Sequence, residues 1–248
     1  MAIIATIWGS RLTWNFNRRG GYKWPLWDGE EDYRWEYVQR WFPNKFLWIV
    51  FNFSFVSCYQ IFLLMLISTP SLVCWSVAMS PACQESNINT NHSNSFHIFG
   101  LDGLATSLIL FFIVIESKAD NQQYEFQTEK YRRRATKDNS LLVGDFADGF
   151  LHSSGLFTIV RKPNYMAEQS IWICYYIFSI AATNQLFNWS MTGWVLLCLL
   201  FQGSGWLTEN ITLSKYPKYK EYMKSVPLYV PSFFSMLKVF FDVSKKKE

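Results

Sequence analysis

Four uncharged or nearly uncharged runs punctuate the chain. Phe46–Ile67 carries no charge over 22 residues, and Ile98–Ile115 carries only Asp102 over 18. Ile171–Phe187 and Met191–Leu207 are 17 residues each and carry none. A bilayer core takes about 20 mostly apolar residues, with about 17 as the lower limit. The pattern therefore predicts four membrane helices, and Met1–Trp8 reads as the end of a further apolar helix, closed off by the break at Gly20-Gly21. Only a few residues near Asn188 separate the last two runs, which predicts an antiparallel helical hairpin. The expected fold class is all-α: a polytopic integral membrane protein of about four to five transmembrane helices with a C-terminal helical hairpin, forming a single membrane domain over residues 1–248.

The polar positions carry their own pattern. Glu116, Asp120, Gln123 and Gln127 fall at i, i+4, i+7 and i+11, one face of a helix continuing beyond the second span. A solvated helix face has the same spacing. Asp28–Trp41 mixes acids and arginines with Trp and Tyr, which suits either a segment lying against headgroups or a solvated helix with charge pairs. Ser68–Ala82 is apolar enough for a re-entrant or interfacial piece, and Gln84–Asn94 is Asn/Ser-rich and reads as a loop.

Composition agrees. Half of the 248 residues are hydrophobic and 19% aromatic, while 17% are charged, below the quarter usual in soluble domains. Charge placement adds orientation. Ser68–His97 contains no Lys or Arg, and all 23 basic residues fall elsewhere: seven over Arg11–Lys45, eight over Lys118–Lys162 and eight from Lys215 onward. Four spans put those three segments on one face, and basic loops favour the cytoplasm. The expected cytosolic segments are 11–45, 116–169 and 209–248, with both termini cytosolic and Ser68–His97 lumenal or external. Asn91-His92-Ser93 is then a glycosylation acceptor on the lumenal side. Lys245-Lys246-Lys247-Glu248 has the dilysine form that returns membrane proteins to the endoplasmic reticulum, or is a basic tail touching lipid.

Candidate chemistry concentrates at Gly155–Glu168. Pro163 disfavours a helical residue before it, and Asn164 is a good helix N-cap. Arg161 and Lys162 would then flank a helix entrance, a place suited to a phosphate or simply the cytoplasmic edge of a membrane helix. Glu168 falls on the face of Asn164. Lys130–Lys137 is a basic cluster suited to anionic headgroups or to a 2′-phosphate. Cys58, Cys174 and Cys198 sit in apolar runs as packing residues. Cys74 and Cys83 share the lumenal segment and could pair. His92, His97 and His152 are scattered, and no metal-ligand spacing exists.

Gly155-Leu156-Phe157, Arg161-Lys162-Pro163-Asn164-Tyr165 and Glu168 resemble the "G-L-F … R-H-P-N-Y … G-E" signature of the steroid 5-alpha-reductase C-terminal domain, most closely its uncharacterised DUF1295 branch. Trp8–Thr13, Glu116–Gln123 with Phe126, and Lys215–Tyr219 with Tyr222 are similar to three further blocks of that branch, in the same order. The resemblance implies a helical membrane enzyme of the endoplasmic reticulum that uses NADPH to reduce a C=C bond of a sterol or other apolar lipid. It implies a cofactor cavity formed by Arg11, Asp120, Arg161, Asn164, Tyr165 and Glu168, with Arg suited to phosphate and no metal. Trp8 stands where the reductases carry a Tyr, and their acidic partner lies on a helix earlier than any in this chain. Two other readings accompany the first: a lipid methyltransferase using S-adenosylmethionine, built on a similar hairpin, and a catalytically inactive membrane scaffold of the same fold.

Overall fold

A computed structural model describes residues 1–23, 33–78, 92–136 and 142–232, with the backbone alone over 33, 55–67, 69 and 92–99. Lys137, Asn91, Cys83 and the tail from 233 lie outside the described residues, as do the sequon, the disulfide partner and the dilysine signal that rest on them.

The helices are α1 (Ala2–Arg18), α2 (Tyr33–Gln39), α3 (Lys45–Ala78), α4 (His92–Ala135), α5 (Asp145–Asp148), α6 (Pro163–Thr183), α7 (Met191–Lys215) and α8 (Tyr219–Ser225), with a 3₁₀ turn at Gly155–Thr158. No strand occurs among the described residues. Within these residues two helices are long and apolar enough to cross a membrane, the Gly100–Ala135 part of α4 and α7.

α3 begins where Asn44 accepts the Leu47 amide at 2.8 Å, the expected use of an Asn N-cap. It runs for 34 residues through a buried Pro70. The separate re-entrant or interfacial piece expected over Ser68–Ala82 is therefore corrected: as far as Ala78 it continues the helix that begins at Lys45. Proline removes one helical hydrogen bond, and the bonds on either side carry the helix past it. α4 begins at His92, so the last residues of the expected Gln84–Asn94 loop are helical. It runs unbroken for 44 residues, about 66 Å, and carries Glu116–Gln127 on the same rod as the second span.

Contacts divide the chain into two compact units, residues 1–111 with 169–200, and residues 112–168 with 201–248. In the first, Trp8 of α1 lies edge-on to Trp172 of α6 at 5.0 Å. Along α6 the ring series continues through Tyr175 and Phe178. α3 meets this ladder through Ser71 Oγ, 3.2 Å from Tyr175 Oη, and Cys74 Sγ, which donates to the Phe178 carbonyl at 3.4 Å. Cys74 is a free thiol. Ala105 and Ile109 of α4 are fully buried, while Leu104, Leu110 and Phe111 on its other side are exposed.

The α6–α7 hairpin is the one the sequence predicts. Its turn is held by Asn188, whose Oδ1 accepts the Ser190 amide at 3.1 Å and hydroxyl at 2.6 Å. The Tyr176 hydroxyl fastens the same loop, donating to the Leu186 carbonyl at 3.0 Å. Asn184 takes the left-handed conformation at φ 52°, which Asn tolerates better than most residues.

Candidate functional site

In the second unit the chain approaches α6 through the 3₁₀ turn. Gly155 has φ 66°, and the Gln122 amide occupies the space a Cβ would need. Gln122 Oε1 accepts the Leu156 amide at 3.1 Å, which ties the turn to α4. α6 starts at Pro163, not at Asn164, and Asn164 is a first-turn residue rather than the N-cap. Proline at the first helical position gives up an N–H that has no helical acceptor anyway, and its fixed φ suits the helix. The first helical bond runs from the Met166 amide to the Lys162 carbonyl at 3.0 Å.

The residues just before α6 are clamped. The Arg161 amide donates to the Pro227 carbonyl at 2.9 Å and the Lys162 amide to the Leu228 carbonyl at 3.2 Å. The segment after α8 thus forms a strap beside the helix entrance. Arg161 Nε donates to Glu209 Oε1 at 2.6 Å and Nη2 to Oε2 at 3.2 Å, with both side chains 9% exposed. Arg161 Nη1 donates to the Met223 and Val226 carbonyls, each at 2.6 Å. Glu209 also accepts from the Tyr219 hydroxyl at 3.2 Å. Burial, then the Glu209 carboxylate, pushes the Tyr219 phenol well above its ordinary range. Burial likewise raises Tyr222, whose hydroxyl donates to the Phe157 carbonyl. Beyond the strap, the Tyr229 hydroxyl donates to the Phe201 carbonyl at 2.6 Å and occupies the space beside Gly205.

The six residues implied by the resemblance fall as follows. Arg11 lies half-buried on α1 in the first unit, and the other five lie in the second. Asp120 is 5% exposed on α4, as is Glu116 one turn earlier, so this polar face is covered rather than solvated. Asn164 and Glu168 share a face of α6, each half-buried. Tyr165 turns toward α7: its hydroxyl is 3.3 Å from Ser204 Oγ, and its ring lies edge-on to Phe201 at 4.7 Å. The guanidinium of Arg161 is taken up by Glu209 and the two carbonyls.

Sequence reasoning did not assign a role to Glu209, Asp145 or His152. Glu209 had a signal, as the first charge after the uncharged run of α7. The other two belong to a short constellation, Asp145, Asp148 and His152. Asp145 is buried at the start of α5, and its carboxylate accepts the Ser153 hydroxyl at 2.9 Å and amide at 3.2 Å. His152 Nδ1 lies 2.7 Å from Asp145 Oδ1 and 3.3 Å from the Phe150 carbonyl. His152 Nε2 is 3.6 Å from Asp148 Oδ2, and Asp148 is paired at 2.8 Å with Lys218. A groove of about 930 Å³ opens beside His152, and none of the six implied residues lines it.

Comparison with known proteins gives a family without an activity. The profile described as a protein of unknown function (DUF1295) matches residues 1–226. The uncharacterized protein C594.04c of Schizosaccharomyces pombe (strain 972 / ATCC 24843) is 32% identical over 239 residues, 93% of this chain and 62% of that protein. The chain thus spans somewhat under two thirds of the length of that relative. No solved structure matches. With a match running from α1 to the end of α8, the chain belongs to the DUF1295 family.

Proposed function

We propose that the chain is a membrane-embedded oxidoreductase that reduces a C=C bond of a sterol or other apolar lipid with NADPH. It sits in the endoplasmic reticulum with four spans, α3, the apolar half of α4, α6 and α7, and with both termini cytosolic. The observation that carries the reading is the placing of polar groups at the ends of two uncharged runs. Glu116 and Asp120 follow the apolar half of α4 directly, and Asn164 and Glu168 directly precede the uncharged run of α6, all in the second unit. Ionisable residues covered among membrane helices are costly and mark functional sites.

The donor set fits a nucleotide in part. Asn164 offers both a donor and an acceptor, suited to a carboxamide or a sugar hydroxyl, and Asp120 and Glu168 accept from hydroxyls. Arg161 supports rather than clamps: its hydrogen bonds to Glu209 and the strap hold the entrance of α6, which leaves phosphate to Lys162 within the second unit. Tyr165 fixes the first turn of α6 against α7. NADPH, when bound, supplies the hydride, and these residues supply position and field.

One observation favours the inactive scaffold as the second reading. Trp8, at the place of the reductase Tyr, packs edge-on against Trp172 and is 8% exposed, and an indole offers no acidic hydroxyl. Thermal shift of the purified protein in detergent separates the readings, because a ligand of the native state must stabilise it. NADPH should raise the melting temperature, and Asn164→Ala should abolish that rise while leaving the unliganded melt in place. A rise with S-adenosylmethionine instead points to the methyltransferase. A melt indifferent to both leaves the scaffold.

A further inference from the structure

We propose that the groove beside His152 is a second ligand site, which takes a neutral amphiphile through its hydroxyl head. It lies apart from the residues of the nucleotide reading and stands independently of that reading.

The imidazole is set by its neighbours. Nδ1 faces two acceptors, Asp145 Oδ1 at 2.7 Å and the Phe150 carbonyl at 3.3 Å. It therefore carries the hydrogen, and in the neutral ring Nε2 is the acceptor. Asp145 is held in turn by the Ser153 hydroxyl and amide, so the ring has one orientation. Asp145 is absent from the groove wall, whereas Asp148, on the Nε2 side, belongs to it. The edge presented to the groove is thus the accepting one. Asp148 Oδ2, 3.6 Å from Nε2, is itself an acceptor with no hydrogen to give, so Nε2 is left to a donor from the groove.

The rest of the wall defines the ligand. Leu156, Ile159 and the Tyr222 ring give an apolar face for a hydrocarbon body. The charges on the wall balance, Lys118 and Lys218 against Asp148 and Glu221, so an ionised head gains no net field. A hydroxyl meets both needs, donating to Nε2 and accepting from the Lys118 ammonium or the Gln122 amide. A volume of about 930 Å³ is at the upper end for a small-molecule site.

The test follows the histidines of the full chain reconstituted in phosphatidylcholine nanodiscs. Diethyl pyrocarbonate attacks the bare imidazole nitrogen, and peptide mass spectrometry resolves His152 from His92 and His97, which serve as references. The expected result is that 1-dodecanol slows modification of His152 several-fold and leaves the two references unchanged, while dodecanoate and dodecylamine protect far less. Ile159→Trp, which fills the groove without touching the ring, should remove the protection yet keep the reaction of His152 with reagent alone. Asp145→Asn should slow the reaction even without dodecanol. Equal protection by the three chains, stronger protection by either charged chain, or protection that survives Ile159→Trp overturns the proposal, as does no protection at all.

Discussion

Arg161 shows how one residue can be read correctly for its place and differently for its work. The sequence puts it beside a helix entrance, and it is there. Yet a guanidinium has donors on every edge, and those of Arg161 go to Glu209, 48 residues away, and to carbonyls at the end of α8. No local pattern names a partner at that separation, so the lone charge at Glu209 was visible but its use was not. Breaking one half of a buried pair strands the other, at about 3 kcal/mol or more. Glu209→Gln is expected to lower the melting temperature strongly, and Arg161→Met likewise. The double variant Arg161→Met with Glu209→Leu should lose less than the two singles together, a non-additivity that a double-mutant cycle in detergent melts would detect. Additive losses would mean that the two side chains do not act as a pair.

At the level of elements, period and composition were sufficient wherever a helix carries its signal within itself. The α6–α7 hairpin and the extension of α4 past Ile115 follow from uncharged run lengths and an i, i+4 spacing. The separation of Ser68–Ala82 from the run before it did not hold as far as Ala78, because Pro70 removes one helical hydrogen bond without ending α3. The covering of Glu116 and Asp120 was illegible too, since spacing defines a face and not what faces it. Two expectations test how α4 holds the second unit. Gly155→Ala combines a left-handed φ with a clash against Gln122, and should destabilise by about 1–3 kcal/mol in a thermal melt. Gln122→Ala in the same chain should relieve only the clash. Lys130, in the polar half of α4 well past the apolar run, is buried against the Gly149 carbonyl and the Tyr216 ring. Burial first, then the charges of Arg134 and Lys215, brings its amine down to about 8 from an ordinary 10.5. Between those values the unfolded chain binds a proton that the folded chain does not, so stability rises with pH across that window. Lys130→Met should flatten the rise, as measured by melts at about pH 7 and about pH 10.

For the molecule as a whole, the inference with most reach concerns sidedness. The absence of Lys and Arg over Ser68–His97, against 23 elsewhere, sets the proposed orientation without reference to packing. Endoglycosidase treatment of protein expressed in eukaryotic cells should shift its mobility, and Asn91→Gln should remove the shift. Cysteine-scanning with an impermeant maleimide should place the exposed position 131 and position 248 on the same face. Labelling from opposite faces would end the four-span topology. The boundaries of the two compact units fall inside α4, α6 and α7, where hydropathy gives no mark.

The strap after α8 has a consequence for how the protein is made. Met223 and Val226, whose carbonyls hold the Arg161 guanidinium, are 62 and 65 residues downstream of it. Arg161 is therefore synthesised well before its acceptors exist, and its cation stays uncovered until they follow. The second unit closes only as synthesis nears Tyr229. A chain cut before Met223 would carry both helices of the hairpin with an open latch, an intermediate distinct from the finished protein.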